Sequence, residues 1–329
     1  MELERPNREK VEIIDLKPKR SDFLEDVQEG LGLEQKAIKP IYFYDVLGSQ
    51  IFYKICETKE YYPTRMDMEI LFENSTFIAR HMSKRASLVE LGGGGSKKVS
   101  PLLSSGYFNH YIPIDISSEA LIETASEVSS DFPEVDVSCV VADFTLADFD
   151  CSIFHYDTEK LVFFPGSTIG NLSPLDRVSL LSRVRTILSP EGGYFLVGID
   201  LVKPTKILES AYNDFEGHTA AFNMNLLSRA NRELNANFNL KAFKHRAFFN
   251  HDKSRIEMHL ESLVSQQVMV GSQVFQFEKG ETIHTENSYK FEVGSFVDVA
   301  RGEGFEFVEA WYDDQEYFAE ILFRVPPLS

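Results

Sequence analysis

Short apolar runs recur through the middle of the chain, and polar segments with helical periodicity separate them. Runs of this length predict buried strands, and their alternation with helices predicts an α/β fold with a mostly parallel sheet. An amphipathic helix is predicted over 173–188, with Pro174 near its start. The predicted strands are 87–91, 111–116, 137–142, 160–164 and 193–199.

This alternation of strands and helices stops after residue 200. A long helical stretch over 218–236 is followed by polar–apolar alternation at 255–260 and 266–270. Alternation of this kind predicts half-buried strands, so we interpret the region as an inserted second lobe. The sheet resumes with a helix at 295–301 and an antiparallel pair of strands at 305–311 and 317–323. We therefore assign 65–200 and 290–329 to a sheet domain, and 1–64 and 201–289 to an α+β lobe.

Four consecutive glycines, Gly92–Gly95, end the first predicted strand. A strand, a glycine turn and a helix bring backbone N–H groups close to a ligand at the carboxyl end of a sheet. We predict that the helix covers 96–104, with Ser96 as its N-terminal cap. A dinucleotide fingerprint is excluded because Lys97 and Lys98 stand where it requires glycine, and a phosphate-binding P-loop is excluded because no Gly-Lys-Ser/Thr closes the run.

The pattern that fits is an acidic residue, an apolar residue and Gly-x-Gly, formed by Glu90, Gly92 and Gly94. It resembles the first motif of Rossmann-like methyltransferases that use S-adenosylmethionine (SAM), with Ser96 in place of the usual third glycine. The alternative is a flexible loop that joins two core elements. The fold predicted on this basis is a Rossmann-like SAM-dependent methyltransferase sheet with an inserted α+β substrate-binding lobe.

Polar residues follow the next predicted strands. Asp115 lies about twenty residues beyond the glycines, where nucleoside-binding folds place an acidic residue on the ribose hydroxyls; the alternative is a helix cap. Asp143 and Phe144 pair a carboxylate with an aromatic ring, which suits an adenine. The loop 165–171 consists almost entirely of small residues and ends in Asn171, whose carboxamide can both donate and accept hydrogen bonds.

Composition restricts the partners. The 329 residues include 33 Lys and Arg against 51 Asp and Glu, a net charge of −18, which disfavours nucleic acids and anionic membranes. The cysteines, Cys56, Cys139 and Cys151, lack metal-ligand spacing and indicate a reducing compartment. No apolar segment suggests a secretory signal or a membrane span. We predict a cytoplasmic monomer that acts on a small molecule and holds no metal.

Six motifs in fixed order carry a family resemblance: Glu-Tyr-Tyr-Pro-Thr-Arg, Glu-Leu-Gly, Pro-Gly-Ser-Thr-Ile-Gly-Asn, Thr-Ala-Ala-Phe-Asn, Arg-Ile-Glu-Met and Glu-x-Ser, between residues 60 and 288. With them the chain resembles, from Pro40 to Val325, the L-histidine N-alpha-methyltransferases of ergothioneine biosynthesis (EgtD type). Such enzymes use SAM to convert histidine into its trimethylated betaine, hercynine. The resemblance implies a transferase that modifies the α-amino group of L-histidine.

The resemblance also implies roles for single residues. A carboxylate and a hydroxyl at positions i and i+2 of an extended segment lie on one side, so Glu286 and Ser288 can meet both imidazole nitrogens. Tyr61 and Asn171 are the predicted catalytic residues. The implied substrate-binding residues are Tyr61 near the α-amine, Asn171 and Tyr212 at the α-carboxylate, and Met258, Glu286 and Ser288 around the imidazole. The implied cofactor-binding residues are Tyr44, Gly92, Lys98, Asp115, Asp143 and Phe144.

Two alternatives stay open. The first is an N-methyltransferase for another aromatic amino acid, such as the tryptophan-derived substrates of fungal alkaloid pathways. Glu286 and Ser288 argue against it, because an indole offers a single N–H donor. The second is a non-catalytic subunit that binds SAM. The intact loop 165–171 and the tyrosines argue against that reading.

Overall fold

A computed structural model of the chain describes residues 11–17, 22–146, 149–154 and 158–327. These residues form two compact units. The first unit takes its described residues from Met1–Lys19, Met66–Leu201 and Phe291–Ser329, and the second from Arg20–Arg65 and Val202–Lys290.

Thirteen strands and nine α-helices lie within the described residues, numbered along the chain. The strands are β1 (Val11–Asp15), β2 (Ala86–Leu91), β3 (Phe108–Asp115), β4 (Asp136–Val141), β5 (Lys160–Phe164), β6 (Gly193–Asp200), β7 (Phe243–Asn250), β8 (Arg255–Ser262), β9 (Gln266–Val270), β10 (Gln273–Phe277), β11 (Thr282–Tyr289), β12 (Glu306–Tyr312) and β13 (Phe318–Val325). The helices are α1 (Phe23–Leu31), α2 (Val46–Glu57), α3 (Pro63–Ala79), α4 (Ser100–Leu103), α5 (Ser118–Asp131), α6 (Pro174–Leu188), α7 (Thr205–Ala211), α8 (His218–Glu233) and α9 (Val293–Gly302).

The first unit is built on a sheet whose eight described strands run in the order β1-β4-β3-β2-β5-β6-β13-β12. Strands β1 to β6 are parallel, and β13 is antiparallel to both of its neighbours. Strands β2 and β5 are buried along their whole length, as continuous apolar runs in a parallel sheet require. The strand order changes direction at β2, which places the carboxyl end of β2 at the switch point where α/β sheets bind ligands. This confirms the predicted Rossmann-like α/β fold.

Two details of the prediction are wrong. The prediction assigns residues 11–15 to the α+β lobe. They instead form β1 and pair with β4 from Val11↔Val137 to Asp15↔Val141, because the exposed edge of β4 offers unpaired backbone groups. The helix predicted over 96–104 is only α4, and its N-terminal cap is Val99 rather than Ser96. The Ser96 hydroxyl instead donates to Glu127 Oε2 at 2.5 Å. The prediction for residues 1–10 lies outside the described residues.

The second unit contains an antiparallel sheet in the order β11-β8-β7 and a β9–β10 hairpin. Helices α2 and α8 pack together within this unit. The register of the sheet sets Glu286 opposite Met258, and Ser288 opposite Ile256. Because side chains alternate along a strand, these four residues share one face, and Glu257 and His259 lie on the other. Among all the described residues, no helix is both long and apolar enough to cross a membrane.

Candidate active-site residues

The glycine turn after β2 is folded tightly against β3. The amides of Gly92 and Gly93 both donate to the Ile114 carbonyl, at 2.8 and 3.0 Å, and Gly92 has φ of +81°. A Cβ atom at Gly93 would lie 2.5 Å from the Pro113 Cβ, and one at Gly94 would lie 3.2 Å from Asp115 Oδ2. The two glycines therefore allow the chain to pass directly beside the end of β3.

Asp115 ends β3 next to this turn. Its Oδ1 accepts from the Ser117 amide at 2.9 Å, while the Ser117 hydroxyl accepts from the Ala120 amide and caps α5. The cap of α5 is therefore Ser117, which removes the alternative reading of Asp115. Burial raises the pKa of the Asp115 carboxyl, against the hydrogen bonds that favour its charged form.

Asp143 and Phe144 lie just beyond the carboxyl end of β4. Thr145 donates to Asp143 Oδ1 through its amide at 2.9 Å and its hydroxyl at 2.5 Å. The Phe144 ring meets Phe164 edge to face, with ring centres 5.8 Å apart. The structure thus brings Gly92, Asp115 and Asp143 to one edge of the sheet, since the carboxyl ends of parallel neighbouring strands meet there.

Lys98 is held by a carboxylate that sequence reasoning missed. Its Nζ lies 2.8 Å from Oδ2 of Asp67, which is completely buried on α3. The same oxygen accepts from the Gly166 amide at 3.0 Å. Gly166 has φ of +74°, which favours glycine, and a Cβ there would lie 2.5 Å from Lys98 Nζ and displace the lysine. Asp67 therefore joins Lys98 to the first residues of the loop 165–171.

A second buried carboxyl, Glu320 on β13, contacts Asp67. Asp67 Oδ1 and both oxygens of Glu320 lack a hydrogen-bond donor among the described residues. Two neighbouring carboxyls can hydrogen-bond only if one of them carries a proton. Burial and the adjacent Asp67 raise the pKa of Glu320 well above its usual range, so Glu320 is the protonated member. Only a structure reveals this pair, because 253 positions separate its members.

Glu90 on β2 is a third buried carboxyl in the first unit. The Tyr111 hydroxyl donates to Glu90 Oε2 at 2.5 Å. Burial raises the pKa of Glu90 to about 8, although this hydrogen bond and Lys98 oppose the rise. The acidic residue of the predicted motif is therefore beneath the glycine turn, packed within the sheet.

Asn171 is the last residue of a short 3-10 helix, Thr168–Asn171, which follows the carboxyl end of β5. Ser167 enters that helix with φ of +55°, and its hydroxyl accepts from the Asp200 amide at 2.9 Å. The Thr168 hydroxyl donates to the Pro165 carbonyl. Among the described residues the Asn171 carboxamide makes no side-chain hydrogen bond, so it is available to a ligand.

In the second unit, Tyr212, Ser288 and Lys290 form one buried cluster. The Tyr212 hydroxyl donates to Ser288 Oγ at 2.7 Å, and Lys290 Nζ donates to the same oxygen at 2.8 Å and to the Tyr212 hydroxyl at 3.3 Å. All three are at most 8% exposed. Sequence reasoning missed Lys290, although its spacing extends Glu-x-Ser to Glu-x-Ser-x-Lys with the period of a strand.

Glu286 lies beside this cluster but makes no side-chain hydrogen bond within the described residues. Burial raises the pKa of Glu286 to about 7, against the opposing effect of the Lys290 charge. Burial also raises the pKa of Tyr61 well above its usual range, and Tyr212, Tyr44 and Glu286 add to that rise. The Tyr61 phenol is therefore neutral. Its ring meets that of Tyr212 edge to face at 6.1 Å.

Met258 and Tyr44 complete the predicted set. Met258 is 2% exposed and lies opposite Glu286 across β8 and β11. Tyr44 lies in the second unit, where its half-exposed ring meets Phe52 and Phe222 edge to face. Its predicted role at the cofactor stays a prediction.

A histidine cluster occupies the opposite face of the β11-β8-β7 sheet. Potential ligand atoms of Glu257, His259 and His284 lie within 4.8 Å of one another. Arg255 pairs with Glu257 Oε1 at 2.6 Å, and Glu257 Oε2 lies 3.2 Å from His259 Nε2. The pKa of Glu257 falls to about 2 because these hydrogen bonds outweigh its burial. The cluster thus satisfies its own hydrogen-bonding groups and carries a guanidinium, which disfavours a cation; the absence of a metal stays a prediction.

Comparisons with known proteins identify the family of the chain. The family model described as "Histidine-specific methyltransferase, SAM-dependent" matches residues 23–325. A histidine N-alpha-methyltransferase from Mycolicibacterium smegmatis is 37% identical over 294 residues, covering 88% of this chain and 90% of that protein. The corresponding protein from Mycobacterium tuberculosis is 36% identical over 303 residues, covering 90% of this chain and 93% of its own.

A more distant relative bears on the tryptophan alternative. A 4-dimethylallyltryptophan N-methyltransferase from Claviceps purpurea is 27% identical over 212 residues, which cover 59% of this chain and 62% of that protein. The two histidine N-alpha-methyltransferases have higher sequence identity to this chain and align over more of it. The chain belongs to the family of SAM-dependent, histidine-specific methyltransferases.

Proposed function

We propose that this protein transfers three methyl groups from SAM to the α-amine of L-histidine and so produces hercynine, the trimethylated intermediate of ergothioneine biosynthesis. The observation that carries this proposal is the face of β11 on which Glu286 and Ser288 lie two residues apart. Glu286 is a largely buried carboxylate without a hydrogen-bond donor among the described residues. An imidazole N–H is a donor that would satisfy it, and the Ser288 hydroxyl can meet the other ring nitrogen.

The residues of the first unit fit SAM. The Lys98 ammonium suits the carboxylate of the methionine part. Asp115 suits the ribose hydroxyls, and Asp143 and Phe144 suit the adenine. The glycine turn passes directly beside β3, where a side chain at Gly93 would clash with Pro113. Bound SAM supplies a methyl group on a positively charged sulfur, which is already a good leaving group.

In the second unit we assign the amino acid to the tyrosines and to β11. Tyr61 would hold the α-amine through a neutral phenol, which cannot compete for the methyl group as a phenolate would. Tyr212 would contact the α-carboxylate, and we propose the same role for Asn171. Met258, Glu286 and Ser288 would enclose the imidazole. The aromatic faces of these tyrosines tolerate a cationic ammonium product. We assign Tyr44 to the cofactor.

In each transfer, the amine lone pair forms the new N–C bond while the S–C bond breaks, and S-adenosylhomocysteine is released. The first two transfers also release a proton from nitrogen to solvent, and the third leaves a fixed positive charge. The residues named above need only orient a neutral amine and exclude water, because no covalent intermediate is required.

The proposal is tested by incubating the protein with SAM and an equimolar mixture of the common amino acids, followed by mass spectrometry. We expect histidine alone to gain three methyl groups. Modification of a different amino acid would refute the imidazole assignment. Binding of SAM without any methylated product would refute catalysis and support a non-catalytic subunit.

We also propose that the protein works as a cytoplasmic monomer with no nucleic-acid or membrane partner. The net charge of −18 supports this, because acidic proteins repel phosphate backbones and anionic lipids. Cys56, Cys139 and Cys151 form no disulfide among the described residues, which is consistent with a reducing compartment. Light scattering at enzyme concentrations used in assays would test the monomer, and a mass of twice 37.5 kDa would refute it.

A further inference from the structure

The hydroxyl group of Ser288 has a defined hydrogen-bond polarity. A serine hydroxyl has one hydrogen to donate and two lone pairs that accept. Both described partners of Ser288 Oγ are donors: Lys290 Nζ at 2.8 Å and the Tyr212 hydroxyl at 2.7 Å. Lys290 can only donate, because an ammonium has no lone pair. The two lone pairs of Ser288 are thus occupied, and its hydrogen is left to point elsewhere.

Glu286 has the opposite polarity. As a carboxylate it only accepts, and no described residue donates to it. The face of β11 therefore offers one acceptor at position 286 and one donor at position 288, with Cα atoms about 7 Å apart on the strand. A neutral imidazole has the complementary pattern, with one N–H and one bare nitrogen, whereas an imidazolium has two N–H donors and an indole has one donor and no acceptor.

We propose that Lys290 is a positioning residue for substrate specificity: by occupying a lone pair of Ser288 Oγ, it makes that hydroxyl a donor, so that the pocket selects an azole ring with one donor and one acceptor nitrogen. This inference rests on the proposed function. Lys290 acts through Ser288 and is not itself a ligand of the ring. Its burial at 3% exposure supports the role, because a buried ammonium must be hydrogen-bonded and its donors are therefore fixed in direction.

A double-mutant cycle tests whether Lys290 acts through Ser288. Histidine binding in the presence of S-adenosylhomocysteine is measured by calorimetry for wild type, Lys290→Met, Ser288→Ala and the double variant. We expect each single variant to weaken histidine binding about tenfold or more, as for one charge-assisted hydrogen bond, and Lys290→Met to add less than about twofold in the Ser288→Ala background. Additive effects of the two substitutions would overturn the proposal.

Two controls separate this role from a structural one. Lys253→Met removes an exposed lysine of the same unit and should leave histidine binding unchanged. Binding of S-adenosylhomocysteine should be unchanged in every variant, since Lys98 and Asp115 lie in the first unit. Lys290→Arg keeps a buried cationic donor and should recover part of the affinity, and its failure to bind histidine better than Lys290→Met would count against the donor role.

Substrate analogues test the polarity without changing Lys290. 4-Thiazolylalanine and 5-thiazolylalanine carry a bare ring nitrogen at one or the other imidazole nitrogen position, with sulfur at the second position, and have no ring N–H. We expect one of them to bind wild type more tightly than Ser288→Ala, by about tenfold, because Ser288 donates to its nitrogen. Equal binding of both analogues to wild type and Ser288→Ala would refute the donor assignment. Failure of wild type to methylate histidine would instead refute the proposed function, while these binding measurements would still report on Ser288.

Discussion

Replacement of Glu286 by glutamine should stabilise the protein at neutral pH while weakening its binding of histidine. The pKa of Glu286 rises from its ordinary 4.5 to about 7 in the folded protein, so the folded state binds its proton more tightly than the unfolded state does. Stability is then highest below pH 4.5 and is lost as the pH rises towards 7. Glutamine has the same shape but does not titrate, so the Glu286→Gln variant does not lose stability in this way as the pH rises.

The magnitude follows from the two pKa values. The free energy of unfolding that ionisation of Glu286 removes is about 1 kcal/mol at pH 5 and about 3 kcal/mol at pH 8. The advantage of Glu286→Gln over wild type should therefore grow by about 2 kcal/mol between these pH values.

The assay must follow the second unit. The one tryptophan, Trp311, lies on β12 of the first unit, so its fluorescence would miss the relevant transition. Hydrogen exchange of the β8 and β11 amides, read by mass spectrometry at pH 5 and pH 8, reports the local unfolding free energy directly. Glu34→Gln, at an exposed position of the same unit, is the matched control. An advantage for Glu286→Gln that is equal at both pH values would refute the ionisation argument.

Three further predictions concern the first unit, each measured by calorimetric binding of SAM. Asp115→Asn should weaken SAM about tenfold or more and leave histidine affinity unchanged, and equal losses of both would refute its ribose role. Asp67→Asn should weaken SAM binding, because it releases the paired Lys98. Glu320→Gln should keep the SAM affinity within about threefold of wild type, because Glu320 is already neutral. A large effect of Glu320→Gln on SAM affinity would show that Glu320 is charged. Gly93→Ala should weaken SAM binding. Gly95→Ala should not, because an added Cβ there meets nothing within 4 Å. Equal effects of the two substitutions on SAM affinity would refute the close approach of the turn to β3.

Much of the sheet is readable from the sequence because each parallel strand is a continuous apolar run. The strand predicted at 160–164 coincides with β5, and the predicted antiparallel pair corresponds to β12 and β13. Edge and connecting elements carry weaker signals. Strand β1 has the sequence Val-Glu-Ile-Ile-Asp, whose burial alternates irregularly, and only its pairing with β4 identifies it.

The candidate site also contains residues that the sequence predicts and residues that only the structure reveals. Asp115, Asp143 and Asn171 follow apolar runs, so their place at the carboxyl edge of the sheet is predictable from the chain alone. Asp67 and Glu320 are invisible to such reasoning, because their proximity depends on packing between a helix and a strand that are far apart in sequence. Lys290 is an intermediate case: its two-residue spacing from Ser288 was visible, but its significance depends on the donor directions at one oxygen.

The buried polar groups on β11 show why this face can recognise a ring and still fold. Lys290 and Tyr212 donate to both lone pairs of Ser288 Oγ, which offsets most of the cost of burying this hydroxyl and leaves its hydrogen for a ligand. No described residue donates to Glu286, and burial raises the pKa of its carboxyl to about 7. A substrate N–H that satisfies this carboxylate would recover free energy that the unliganded protein lacks. Specificity for a nitrogen ring then has a source within the strand itself: Glu286 is a carboxylate to which no described residue donates, and a donor on the substrate can complete it.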